Sequence, residues 1–213
     1  YSAGVTLPKK NCTGEPARHR IINLIDAYGK LFWTMIMSTP GAWTERNNFN
    51  MTGFKKIFSR EENIALALTS WWITGQLGLH ACLHAEDIKG AFDQARRDAD
   101  HGMQASFSKD AAEGYMKEAV RDLLKDLLTH TTQKLLIPQT NNGQRWYEPK
   151  RGIRQGDGGG PRIWNREFYD VISDWEQRLA TDPEHIPLQV TYEGTHIHIA
   201  SSSYADDSWR LYI

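Results

Sequence analysis

The sequence predicts an α+β fold, and three observations carry that reading. Short alternating runs flank turn signals at Asn141-Asn142-Gly143 and at Glu193-Gly194, as paired strands do. Longer stretches place apolar residues at helical spacing. Ser59-Arg60-Glu61-Glu62 has a serine followed three residues later by glutamate, the capping box that opens a helix.

Taken in order, residues Ser2 to Leu7 are strand-like, and a polar loop bearing Pro and Gly follows from Pro8 to Pro16. Arg20 to Ile25 returns as a second strand. From Asp26 a helical pattern runs to about Met37, with Leu31, Phe32 and Ile36 among its apolar positions, and Ser38-Thr39-Pro40-Gly41 stops it. The capped helix runs from Ser59 to about Gly75 and carries Ile64, Leu66, Leu68, Trp71 and Trp72. Leu79 to Glu86 alternates as a strand that delivers Asp87. One long amphipathic helix is expected from Ser108 to about Thr129. Leu135 to Pro138 and Arg145 to Glu148 form the first hairpin. After a glycine loop from Gly152 to Gly160, Pro161 suits a helix start, and that helix runs to about Leu179. Leu188 to Tyr192 and His196 to Ala200 form the second hairpin. The eight tryptophans are expected mostly in the core or between lobes.

The 213 residues are 40% hydrophobic and 24% charged, which is ordinary globular composition. Net charge is −1, so a polyanionic partner must be met by local basic clusters. Cys12 and Cys82 are far apart and form no metal or redox motif, which makes a reduced intracellular setting, nuclear or cytoplasmic, the expectation. No apolar stretch approaches the ~18 residues of a membrane span, so no membrane partner is expected. The chain opens on Tyr1 within a strand-like run and stops at Ile213 just after another, and reads as an excerpt of something longer.

The chemistry centres on carboxylates. Asp87 ends one strand, and Tyr204-Ala205-Asp206-Asp207 places two acids at the turn after another. If the strands are neighbours, three carboxylates meet at one sheet edge, where their mutual repulsion calls for a cation. Oxygen-only ligands suit Mg²⁺ or Mn²⁺. Two such ions roughly 3.5–4 Å apart activate an attacking oxygen and stabilise a leaving one in phosphoryl transfer. The Asp pair by itself reads as a solvated turn; the segments around it change that reading.

Gly152-Ile153-Arg154-Gln155-Gly156-Asp157 runs through three glycines into a helix. Glycines admit close backbone approach, and a helix N-terminus favours phosphate; in isolation a surface loop competes with that reading. Phe92, five positions past Asp87, suits packing under a sugar so as to exclude a 2′-hydroxyl, or simply a core position at a helix start. Lys9, Lys10, Arg18 and Arg20 cluster around a loop and a strand start, either as triphosphate-holding cations or as a solvated basic turn.

Together these segments resemble the reverse transcriptases, most closely those of retrotransposons lacking long terminal repeats. Asp87-Ile88-Lys89-Gly90-Ala91-Phe92-Asp93 is similar to the first palm motif of that family. Gly152 to Asp157, with Pro161 and Asn165, is similar to the second, and Tyr204-Ala205-Asp206-Asp207 to the third. Leu7-Pro8-Lys9-Lys10, Arg20 to Ile25 and Lys30 resemble fingers segments; Gly53-Phe54-Lys55 and Glu62 to Ala65 resemble the fingers–palm connection. The resemblance spans nearly the whole chain in the family's order.

It implies a right-hand polymerase: fingers and connection over 1–78, then an antiparallel palm sheet backed by helices over 79–213, with the thumb absent. It implies that Asp87, Asp206 and Asp207 are catalytic and hold two Mg²⁺ ions, or Mn²⁺ in their place. Phe92 then corresponds to the gate selecting deoxyribonucleotides, Gln155 and Gly156 to the nucleotide and template site, and Arg20 with Lys9 or Lys10 to the triphosphate-binding cations. The activity implied is RNA-directed DNA synthesis, with an RNA template, a DNA primer and deoxyribonucleoside triphosphates as partners.

The chain departs from the family at Gly158-Gly159-Gly160, where Pro, an aliphatic residue and Ser are usual, and a looser loop is the expectation there. It also has Ile57 and Phe58 where a glycine and a basic residue are usual. The competing reading is a degenerate or repurposed element that binds nucleic acid without synthesis. Phe92 and Ala205 weigh against an RNA-copying RNA polymerase, and the ordered motifs weigh against an unrelated α+β domain.

Overall fold

One helix begins at the cap the sequence places for it, Ser59. The computed structural model describes residues 2–8, 19–46, 48, 50–55, 58–130, 133–136, 144–183 and 188–213. Strands β1 (Ser2–Pro8) and β2 (His19–Leu24) precede helix α1 (Ala27–Ser38), whose N-cap Asp26 accepts from the Gly29 amide at 2.7 Å. Helix α2 (Arg60–Gln76) carries both bonds of the Ser59–Glu62 capping box. Then come β3 (Cys82–Asp87), the short α3 (Ala91–Gln94), α4 (Met103–Ala112), α5 (Glu118–His130), β4 (Gln133–Leu136), β5 (Gln144–Tyr147) and α6 (Gly160–Thr181). Four strands close the order: β6 (Gln189–Tyr192), β7 (Thr195–His198), β8 (Ser201–Tyr204) and β9 (Asp207–Tyr212). No helix among the described residues is long and apolar enough to cross a membrane.

Contacts divide the chain into two units, each drawn from two stretches. One comprises Tyr1–Glu45 and Phe92–Ile163; the other comprises Arg46–Ala91 and Trp164–Ile213.

In the first unit a four-stranded sheet has the order β2-β1-β4-β5. β1 runs antiparallel to β2 and parallel to β4, with Val5 opposite Ile22 and Leu136. β4 and β5 form the expected hairpin; its Asn141-Asn142-Gly143 turn lies outside the described residues. Met103, Phe107 and Leu124 are fully enclosed, and Trp43 meets Phe107 edge to face at 5.6 Å.

The helix expected from Ser108 to Thr129 is two helices. Gly114 takes φ +79, a left-handed conformation that glycine adopts freely. The Tyr115 and Met116 amides turn back onto the Asp110 carbonyl at 2.8 and 3.1 Å. Asp110 is itself buried and accepts from Trp43 Nε1 at 3.0 Å, which ties the break to the core. The apolar periodicity runs on through residues 113–117 and hides this interruption.

In the second unit the order is β3-β9-β8, antiparallel throughout, beside the two-stranded β6-β7 ribbon. Its core gathers Leu188, Ile199, Ala200, Trp209 and Leu211, with Leu66, Ala67 and Ile73 of α2 packed against them. The face that α2 buries is nonetheless largely polar: Asn63, Ser70 and Thr74. Asn63 donates to Ser202 Oγ at 2.8 Å and Ser70 to the Ile199 carbonyl. Trp71 and Trp72, two of the eight tryptophans expected mostly in the core or between lobes, are 47% and 62% exposed. The small serines of β8 leave room for α2 to approach by hydrogen bonding, and the bulky residues turn outward. Among the described residues, Trp33, Trp43, Trp164 and Trp209 are the tryptophans that reach buried positions.

Candidate active site

The backbone of the second unit brings the three acids to one end of its sheet. β3 pairs with β9 in a register that sets Asp87 opposite Asp207. β9 pairs with β8 through a tight hairpin, Tyr204 opposite Asp207, so Ala205 and Asp206 form the turn. The Ile88 amide donates to the Asp206 carbonyl at 3.0 Å, tying the residue after Asp87 to the tip of that hairpin. Directly opposed residues on neighbouring strands hold their β-carbons about 4.5–5.5 Å apart. Side chains separated by about 120 positions are thus presented from one sheet edge. The strand that pairs with Asp87 is the one after the Asp pair, a partner that alternation alone does not reveal.

Electrostatics follow from that register. Burial first, then the charges of Asp206 and Asp87, push the Asp207 carboxyl above its ordinary value, while Arg60 pulls it down. Among the described residues, no three His, Cys, Asp or Glu side chains converge as a ready metal set. The fold supplies the backbone register beneath the acids and an open cleft of about 330 Å³ lined by Asp87, Asp207, Glu86, Asn63 and Trp209.

A second constellation lies within the first unit. Ile153 N donates to the Phe92 carbonyl at 2.6 Å, and Gly152 N to Ala95 O at 2.7 Å. Arg97 Nε holds the Gly152 carbonyl at 2.8 Å. Asn23 of β2 donates its amide to Gln155 O at 2.8 Å. Gly156, at φ +94, presses against the Asn23 carbonyl, which a β-carbon would approach to 2.7 Å. Phe92, Gln155 and Gly156 are therefore brought together with β2, and Gln155 Nε2 lies 3.5 Å from Asp93 Oδ1. An open cleft of about 330 Å³ runs along this loop, lined by Arg97, Lys150, Arg151, Arg154, Asn23 and Gln155.

Arg20 sits in β2 opposite Leu7; Lys9 and Lys10 lie outside the described residues. The sequence reading missed Lys150 and Arg151, because a basic pair ahead of a glycine loop has no spacing signature. It also missed the proximity of Arg60 to Asp207.

The glycine run is packed. Trp33, 3% exposed, lies across Gly159, whose β-carbon would fall 2.5 Å from Trp33 Cε3. Asp157 accepts from the Gly159 amide at 3.3 Å and pairs with Arg154 at 3.1 Å. The looser loop expected from three glycines is instead filled by an indole.

No family model matches the chain, and none of the curated proteins compared is similar to it in sequence. Solved structures are similar in fold. Telomerase from Candida albicans, in complex with the TWJ fragment of telomeric RNA, matches 99% of this chain at 9% identity with a TM-score of 0.53. Telomerase from Candida tropicalis, in complex with the same kind of fragment, matches 87% at 12% identity with a TM-score of 0.51. The fold is reverse-transcriptase-like. The chain spans 37% and 28% of those two proteins, so the reverse-transcriptase-like likeness concerns one part of each.

Proposed function

We propose that this chain is the fingers–palm part of an RNA-directed DNA polymerase, of the kind found in retrotransposons lacking long terminal repeats. The observation that carries the reading is the register placing Asp87 opposite Asp207 beside the Asp206 turn. Asp87, Asp206 and Asp207 would hold divalent cations. Their donor atoms are all oxygen; burial first, and then the repulsion from Asp206 and Asp87, raises the Asp207 carboxyl, and a cation relieves that repulsion. Bound there, Mg²⁺ supplies charge stabilisation for an attacking primer oxygen and a departing pyrophosphate.

The rest of the reaction falls to the chain's own residues. The carboxylates orient the primer 3′-hydroxyl for attack on the α-phosphorus of a deoxyribonucleoside triphosphate. The new O–P bond forms as the bond to the β-phosphate breaks, and the hydroxyl proton leaves to solvent. Phe92 is the proposed sugar gate, and Gln155 and Gly156 line the nucleotide and template site. Arg20, with Lys9 or Lys10, is proposed for the triphosphate. In the cleft beside Lys150 and Arg151 the four cations Arg97, Lys150, Arg151 and Arg154 outnumber the acids Asp93 and Glu148, which supports a polyanionic ligand in a chain whose net charge is only −1. RNA is the template class proposed, in keeping with the two RNA-bound neighbours. The packed glycine run weakens the argument for a decayed loop.

The test is primer extension on an RNA template with and without Mg²⁺. Asp206→Asn and Asp87→Asn are expected to lower extension by more than about 100-fold, since partners one shell further from a metal already cost 10–100-fold. Extension that survives Asp206→Asn unchanged refutes the assignment. Phe92→Ala is expected to admit ribonucleotides.

A further inference from the structure

Asp206 is held from both sides. On its C-terminal side its carbonyl accepts from Ile88 N at 3.0 Å. On its N-terminal side lies the central peptide of the hairpin turn, formed by the Ala205 carbonyl and the Asp206 amide. That carbonyl accepts from Trp164 Nε1 at 2.9 Å. Trp164 is 6% exposed and stacked on Phe168 with ring centroids 5.5 Å apart, so the indole that donates is itself immobilised.

The held conformation is not the one alanine prefers. Ala205 takes φ +59, one of three non-glycine residues with positive φ among those described. Two-residue hairpin turns favour glycine at such positions, and rotation of the central peptide interconverts turn types. A turn carrying alanine there is poised to flip unless something fixes that peptide. Below it, the segment around Met51 runs parallel to β8: Thr52 N donates to Ser203 O at 2.9 Å and Ser203 N to Asn50 O at 2.7 Å. Gly53 then meets the Tyr204–Ala205 backbone too closely to carry a β-carbon, and Asn165 Nδ2 holds the Gly53 carbonyl at 3.0 Å. Adjacent residues of α6 therefore grip the turn directly and grip the segment beneath it.

We infer that Trp164 is a positioning residue for the acidic turn: its indole N–H locks the Ala205–Asp206 peptide and so sets the direction in which Asp206 and Asp207 leave the hairpin. The role rests on the proposed function only where catalysis is read out; the conformational claim stands without it. Trp164 touches no reacting group and acts through the turn.

The test compares Trp164→Phe, which keeps an aromatic ring and removes the donor, with a chain carrying 3-benzothienylalanine at position 164, an isostere of the indole without its N–H. Amide hydrogen exchange is followed by peptide across 201–208 and across α6 in the metal-free protein. Exchange in the turn is expected to rise roughly fivefold, the scale of one lost hydrogen bond, with α6 unchanged. Adding Ala205→Gly to Trp164→Phe is expected to recover much of the protection, because glycine adopts the left-handed turn freely. In extension assays the Mg²⁺ concentration for half-maximal rate is expected to rise several-fold and to fall back in the double variant.

Unchanged exchange at the turn with the isostere, or an increase spread along α6, overturns the inference. A wild-type chain that extends no primer sinks the polymerase reading alone, since the exchange comparison still decides the role of Trp164. Should the Phe variant fail to fold, the isostere decides.

Discussion

Replacing Gly53 with alanine tests how tightly the acidic hairpin is seated. A β-carbon at Gly53 would fall 2.9 Å from Ala205 Cα, 3.0 Å from Tyr204 C, and closer still to Ala205 N. Every one of these atoms is backbone, so no rotamer change relieves the overlap. Either the segment around Met51 or the β8–β9 turn must move. Overpacking of this kind costs about 1–3 kcal/mol. For a chain of this length each kcal/mol shifts the melting temperature by about 2–4 °C. A drop of roughly 2–12 °C is therefore expected in a thermal melt. If the turn is what moves, a displacement of about 1 Å at the acids is expected to lower primer extension by about 100-fold. Gly75→Ala is the control: it lies in α2 with nothing within 4 Å of its added β-carbon, and alanine favours helix by about 0.5–1 kcal/mol. It is expected to melt at or above the wild-type temperature. A Gly53→Ala chain that melts and extends primers like wild type would show that the turn is not seated on this residue, and the reasoning would fail.

Gly159→Ala is expected to destabilise by about 1–3 kcal/mol, because its β-carbon enters the buried Trp33 ring. Trp33→Leu is expected to offset part of that loss, so the double variant should be more stable than the sum of the singles; strict additivity in melts refutes the packing. Asp157 supplies a pH test. Burial raises its carboxyl above the ordinary value of 3.8, against the pull of Arg154 and of hydrogen bonds from Gly159 and Trp33. A carboxyl whose folded value is raised weakens the fold while ionised, and that penalty is relieved as pH falls through the folded value toward the unfolded one. Wild type is therefore expected to gain stability relative to Asp157→Asn as pH is lowered from neutral toward 3.8. A gap that widens in favour of the variant would contradict the buried assignment.

Much of the local structure was readable from the chain. Ser59 announced its helix because a cap satisfies amides within three residues of itself, and Asp26 proved to cap the helical pattern that begins at it. Asn142-Gly143 and Glu193-Gly194 announced hairpins because a turn needs particular residues at adjacent positions. The α4–α5 break was not readable, since a periodic pattern survives a turn that Asp110 and Trp43 make from opposite ends of a 67-residue separation. The exposure of Trp71 and Trp72 was not readable either: it depends on serines of β8 lying under the other face of α2.

The candidate site divides along the same line. The order of the acids, the glycine loop and Phe92 is written in the chain, because residue identity and spacing carry the chemistry of oxygen ligands and close backbone approach. Only the tertiary structure decided that Asp87 of β3 faces Asp207 of β9, that Trp33 fills the space over Gly159, and that Trp164 reaches the Ala205 carbonyl from 41 residues away. Those contacts join segments that no short window of sequence contains. Strand register and the shape of a packed interior set them, and both emerge only once the chain has closed on itself.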